Sequence, residues 1–207
     1  MSLSVIHTYA EEFKNYESLY NTFLKQIEDS NSPALVNMGH TSPSGLAYIV
    51  KNNIRWTKET GELAFLVNDD TGMLVGVSGV EHSTLSDQLG SGGNRCWVLP
   101  EFRTHNEVTR YLLSANLDWC NAQGKAGMLL TFNEYNKWIY DTITKLSAGK
   151  GAAFGKVWSN WWNDCIVLPR QISLFDTPQW AVVKPLADTN TVKDIIADID
   201  RIYGIEQ

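Results

Sequence analysis

Between residues 11 and 29 apolar side chains return every three or four positions. Phe13, Tyr16, Leu19, Tyr20, Phe23, Leu24 and Ile27 form one wide face, and the spacing predicts an amphipathic helix. Ser30-Asn31-Ser32-Pro33 should end it. Residues 34–40 read as a strand, 41–45 as a turn, and 46–56 as a short helix or irregular segment. From 61 the pattern changes to two strand-length runs, 61–69 and 73–82. The turn residues Asp69-Asp70-Thr71-Gly72 join them into a hairpin. Gly76 and Gly79, inside the second run, mark a close backbone approach or a bulge. The glycines of 89–93 read as a flexible turn, and 94–100 as a short strand stopped by Pro100. A second helix is predicted over 106–122, with Val108, Leu112, Ala115 and Trp119 on one stripe and Gly124 or Gly127 at its end. The unbroken apolar run 127–132 suits the centre of a sheet. A helix over 134–146, a Gly/Ala-rich loop over 147–156, strands at 165–169 and 180–186 and a closing helix over about 191–203 complete the pattern.

Strands, helix, central strand, helix, strands: this order predicts an α/β (α+β) chain, a mixed sheet flanked by helices, in a single domain over 1–207. Composition narrows the function classes. With 17 Lys+Arg against 23 Asp+Glu and 43% apolar residues, the chain is neither a highly charged disordered segment nor a broadly basic nucleic-acid binder. No apolar run approaches the length of a membrane span, and no basic-then-apolar leader opens the sequence. Cys96, Cys120 and Cys165 lie far apart without a CxxC pair, as expected of reduced thiols in a cytoplasmic protein. Eight tryptophans are the compositional oddity. Trp97, Trp119 and Trp138 fall in regular elements and are expected in the core or half-buried. Trp158, Trp161 and Trp162 cluster after the glycine-rich loop.

Several motif readings fail on inspection. In residues 149–156 the position where a phosphate loop needs its first glycine is Lys150, and Val157 stands where the hydroxyl should follow. No GxGxxG follows a strand and GxSxG is absent. His7, His40, His82 and His105 share no ligand spacing, so no metal is expected. Lysines and arginines are sparse around the tryptophans, which argues against nucleic acid.

What remains is the stretch 94–113, a strand running directly into a helix. A helix N-terminus presents unpaired N–H groups and positive dipole to an anion. Backbone left unpaired just ahead of it could hydrogen-bond an extended amide-bearing ligand. Arg103 and His105 would add donors. Val98-Leu99-Pro100-Glu101-Phe102-Arg103 at this point resembles the strand-end motif of the GNAT superfamily of N-acetyltransferases. Asn133, Ile139 and Tyr140 resemble a second motif of the same family, with Asn136 where alanine is usual. In outline the likeness spans about residues 10–186; the specific motifs span about thirty. The chain departs from the family where glycines normally form a pyrophosphate loop: it reads Thr104-His105-Asn106-Glu107-Val108-Thr109. Branched side chains there would crowd a pyrophosphate, and Glu107 would repel it.

The resemblance implies a mostly antiparallel central sheet and acetyl-CoA or another acyl-CoA as co-substrate, contacted by Val98, Leu99, Arg103, Thr104, His105, Asn106, Val108 and Asn133. It implies acetyl transfer to an amine, with Tyr140 protonating the departing thiolate and an amide near 98–99 polarising the carbonyl. Glu81 and Glu101 are the carboxylates expected to serve as base. The acceptor, a small-molecule or peptide amine, is expected near Trp158, Trp161 and Trp162, and a homodimer stays open. The alternative reading is a non-catalytic binding or structural protein of the same fold that has lost CoA binding.

Overall fold

The computed structural model describes residues 2–29, 56–103, 106–150, 160–174 and 176–205. The strand, turn and short helix or irregular segment expected within 34–56 therefore lie outside the described residues, apart from Trp56, as does the loop expected over 147–156 from residue 151 onward. In chain order the elements are β1 (Leu3–Thr8), α1 (Glu17–Asp29), β2 (Gly61–Asn68), β3 (Met73–His82), β4 (Leu89–Val98), α2 (Asn106–Ala122), β5 (Gly127–Phe132), α3 (Lys137–Ser147), β6 (Ile166–Val167), β7 (Ile172–Leu174), β8 (Thr177–Pro185) and α4 (Thr189–Tyr203). Single 3-10 turns precede α1, α2 and α3. The hydrogen-bonded strand order is β1-β2-β3-β4-β5-β8-β6, with β7 on β8. The sheet is mixed: β4 and β5 are parallel, while the β1–β2, β2–β3 and β5–β8 pairs are antiparallel. This is the mostly antiparallel, helix-flanked sheet expected.

The chain divides into two compact units, Met1–Glu81 with Gly92–Trp119, and His82–Ser91 with Cys120–Gln207. In the first, the apolar stripe expected over 11–29 packs inward, carried by a 3-10 turn over Phe13–Asn15 and then by α1 from Glu17 onward. Phe13, Tyr20, Phe23 and Ile27 pack on Leu63, Phe65 and Val67 of β2, and Tyr20 stacks on Phe65 at 5.6 Å. Each such buried side chain contributes about 1.5–3 kcal/mol. The other face of β2 and β3 presents Ala64, Leu66 and Val75 to Val108, Leu112 and Ala115 of α2. Gly76 and Gly79 are the close approaches their positions suggest. A Cβ on Gly76 would sit 3.0 Å from Leu112 Cδ1, and one on Gly79 would collide with the Trp56 ring. The register shifts between Leu66 and Val67, which leaves Val75, next to Gly76, as the extra residue on β3.

In the second unit, β5 and β8 pair over six residues, and Leu129, Leu168, Ala181 and Val183 pack against Val192, Ile195, Ile196 and Ile199 of α4. Gly124, in the left-handed region at φ 66°, ends α2.

Four expectations are corrected. Residues 89–93 are not a turn but the first half of β4, because Leu89 is fully buried and pairs with Gly127 of β5. The 94–100 strand is only the end of that longer one. Trp138 is 59% exposed. The buried stripe of α3 is Tyr140, Ile143 and Leu146, and a residue two positions before Tyr140 faces the opposite way. The strand at 165–169 shortens to Ile166–Val167. Two strands had no sequence signal, β1 and the three-residue β7. β1 is held by its pairing with β2 and by Ser2 and Ser4, whose hydroxyls donate to Asp69 at 2.8 and 2.6 Å.

Candidate active site

The end of β4 is organised by three backbone decisions. Leu99 N–H donates to Val75 O at 3.0 Å, so this residue still belongs to the β3 side. Alternation along a strand then turns the Val98 amide to the opposite side, away from β3. On that side Arg103 Nε donates to Val98 O at 3.0 Å, and the guanidinium lies 5.6 Å from the Trp97 ring centre. Pro100 starts a 3-10 turn over Pro100–Phe102, ahead of α2. Of the pair expected to polarise a carbonyl, only Val98 therefore has its amide directed outward. Leu99 has its amide committed and its side chain fully buried.

The first turn of α2 begins at Asn106, whose backbone opens the helix. Its N–H groups, with those of Glu107, Val108 and Thr109, have no intrahelical acceptor. The Val108 side chain is fully buried against β2 and β3, so only its backbone can face a ligand. Glu107 is exposed, and Thr104 and His105 lie outside the described residues. Glu101 is exposed in the 3-10 turn, whereas Glu81 is half-buried near the end of β3, paired with Gly61.

The second motif uses its polar groups internally. Asn133 caps a 3-10 turn, its side chain accepting the Asn136 N–H at 3.1 Å. Tyr140 is buried, packs at 4.9 Å on Trp180, and donates its hydroxyl proton to Leu168 O at 3.2 Å. Burial pushes the Tyr140 phenol above its ordinary pKa. Nearby, Trp162 is buried and meets Trp161 edge-on at 4.5 Å. Lys184 Nζ donates to Trp161 O at 2.6 Å and pairs with Asp164. Trp158 lies outside the described residues.

Two polar groups that sequence reasoning passed over are buried in the first unit. Glu62 of β2 accepts from His7 at 2.7 Å and from Tyr9 Oη at 3.2 Å. The hydrogen bond to Glu62 raises the His7 pKa, and burial pushes Tyr9 up to about 12. Asn116 of α2 accepts from Ser78 and from the Gly93 amide. Both carried a readable signal. Glu62 shares a strand face with the apolar Ala64 and Leu66, and Asn116 lies four residues after Leu112 on the helix's apolar side. Burial lifts the Cys96 thiol to about 11 and Cys165 to about 12, away from the thiolate form a nucleophile needs. Among the described residues no three metal-ligating side chains gather, and no described helix is long and apolar enough to cross a membrane.

Comparison with known proteins bears on the fold. No protein-family model matches the chain, and no curated protein matches its sequence. Solved structures do. The chain is similar to a GNAT-family acetyltransferase from Staphylococcus aureus over 89% of its own length and 99% of that chain, at 12% identity and TM-score 0.50. A chimeric spermidine N-acetyltransferase from Vibrio cholerae matches over 89% and 96%, at 9% identity and TM-score 0.53. A protein from Exiguobacterium sp. described as a putative acetyltransferase matches over 94% and 98%, at 13% identity and TM-score 0.51. The chain has the GNAT acetyltransferase fold.

An acyl-CoA offers this fold an arm with two amides, a pyrophosphate and a thioester. The first unit fits such a ligand in its backbone: the Val98 amide points outward, and the N–H groups at the start of α2 suit an anion. One side chain opposes it, since the Glu107 carboxylate stands in the turn that would receive the phosphates.

Proposed function

We propose that this protein is an acyl-CoA-dependent N-acyltransferase that moves an acetyl or related acyl group to an amine. The observation carrying the proposal is the β4–α2 junction, where a strand-end amide turned away from its sheet partner leads within a few residues to a helix N-terminus, on a GNAT fold. The co-substrate supplies an activated thioester. The chain's own residues do the rest. The Val98 N–H is the donor for the extended ligand, and Arg103 steadies the turn by capping the Val98 carbonyl. The N–H groups of Asn106 to Thr109 hold the anionic end.

An ammonium has no lone pair, so the acceptor must lose a proton before attack. Glu81, half-buried on β3, and Glu101, exposed in the turn, are the proposed bases, acting directly or through water. Tyr140 is proposed to protonate the departing thiolate. Its bond to Leu168 O, at 3.2 Å, is longer than the usual O–H···O contact and so is weak enough to exchange. The acceptor is proposed to be a small-molecule or peptide amine, with the half-buried Trp161 as a flat apolar contact.

A second reading is favoured by one observation, the absence of glycine from 104–109 with Glu107 among them. It is a GNAT-fold protein that has lost CoA binding and serves as a binding or structural module. Calorimetric titration with acetyl-CoA and CoA separates the two. Micromolar affinity, weakened by Arg103→Ala and improved by Glu107→Gln, supports the enzyme. No heat at millimolar ligand leaves the binding module.

A further inference from the structure

Asn116 is a fully buried amide on the sheet-facing side of α2. A polar group in that position has to be satisfied from within. Its Oδ1 accepts two hydrogen bonds, from Ser78 Oγ at 2.7 Å and from the Gly93 backbone N–H at 3.1 Å. A backbone amide can only donate, so Gly93 fixes which end of the Asn116 side chain is oxygen. Nδ2 is then left buried with no hydrogen-bond partner. A leucine would avoid that cost, yet it could not accept from Gly93.

Gly93 is itself unusual. It lies in the middle of β4 with φ at 66°, a conformation that residues with a Cβ rarely adopt. Its amide donates to a helix side chain, the Asn116 oxygen. The pairing of β4 with β5 ends at Ser91↔Leu129, two residues earlier, and β4 continues to Val98. A glycine at positive φ inside a strand is the backbone of a β-bulge, and a bulged strand bends there.

We propose that Asn116 is a positioning residue that anchors this bend and thereby sets the direction in which the Val98 amide points. The consequence for ligand binding rests on the acyl-CoA reading above; the anchor itself does not. Without the Asn116 oxygen, the Gly93 N–H has to recover a partner from the sheet, and β4 re-forms with Asn94–Val98 turned. Ser78 is the secondary donor and leaves the anchor in place when removed.

Amide hydrogen exchange of the full-length protein at neutral pH, read residue by residue by NMR, tests this beside acetyl-CoA titration. In Asn116→Ala the Gly93 amide exchanges roughly tenfold faster relative to Val77, and acetyl-CoA binding weakens by a similar factor. Asn116→Asp keeps an oxygen for Gly93 and holds both within about threefold of the parent. Ser78→Ala leaves Gly93 protected. Unchanged Gly93 exchange in Asn116→Ala overturns the anchor. If that variant does not fold, an Asn116→Asp protein that folds with Gly93 exchanging roughly tenfold faster overturns it as well. If the parent protein binds no acetyl-CoA, the enzyme reading fails while the exchange result still decides the role of Asn116.

Discussion

The two motif regions make opposite use of their polar groups. At the end of β4 the outward-facing group is a backbone amide, with Arg103 and the following turn holding the chain that carries it. At Asn133–Tyr140 the side chains that would do chemistry are spent on the protein itself, one capping Asn136 and one bonded to Leu168 O. A site made of main chain survives side-chain divergence as long as the strand direction holds. A site made of side chains survives only if those groups can leave their internal partners. The β4–α2 junction is therefore the part of the fold most able to keep a function while its sequence drifts.

The sharpest way to break this contrast is to disturb the strand direction without touching an outward group. Gly76→Val places a branched side chain against Leu112 Cδ1 and Trp97 O, at 3.0 and 3.1 Å from its Cβ. Overpacking of this kind costs about 1–3 kcal/mol. A depressed unfolding midpoint in urea, with acetyl-CoA affinity lost in protein that remains folded, is the expected result.

Tyr140→Phe probes the other side. Losing the hydrogen bond to Leu168 O should cost about 1 kcal/mol in a denaturant titration. If Tyr140 also acts as proton donor, turnover falls while acetyl-CoA affinity stays; an unchanged turnover removes it from the mechanism. Asn133→Ala should cost about 0.5–1 kcal/mol through the lost cap and leave acyl-CoA affinity alone.

A smaller effect comes from the pair that exposed His7 makes with buried Glu62 at the sheet edge. The His7 pKa is raised in the folded protein, first by its hydrogen bond to Glu62. A group with a raised folded pKa stabilises fully below its unfolded value, 6.5, and loses that contribution as pH rises through the folded value. The midpoint difference between the parent and His7→Gln should accordingly be larger at mildly acidic pH than at alkaline pH. A difference independent of pH would mean that the pair is held by shape alone.

Regular elements were legible wherever burial followed one period. The stripe Val108, Leu112, Ala115, Trp119 marked α2, and the 61–82 hairpin declared both its strands and its turn. Legibility failed where a neighbour decided the outcome. Leu89-Gly90-Ser91-Gly92-Gly93 has the composition of a turn and becomes strand because β5 pairs with its first three residues and Asn116 takes up the Gly93 amide. β1 has too short an alternation to register and exists through β2. At the site, Val98-Leu99-Pro100 could be located from sequence, but which of its two amides faces outward could not. That depends on Leu99 bonding to Val75, a partner 24 positions away along the chain. Glu62 and Asn116 were missed because a polar residue on an apolar face looks like noise until its partners are seen.

The central claim is that the outward amide at the end of β4 receives an acyl-CoA. Backbone NMR during titration with acetyl-CoA reads it at single-residue level. The account predicts that the Val98 amide resonance moves on binding, with those of the first turn of α2, while Leu99, bonded to Val75, stays in place. Saturating acetyl-CoA that leaves Val98 unmoved would contradict it.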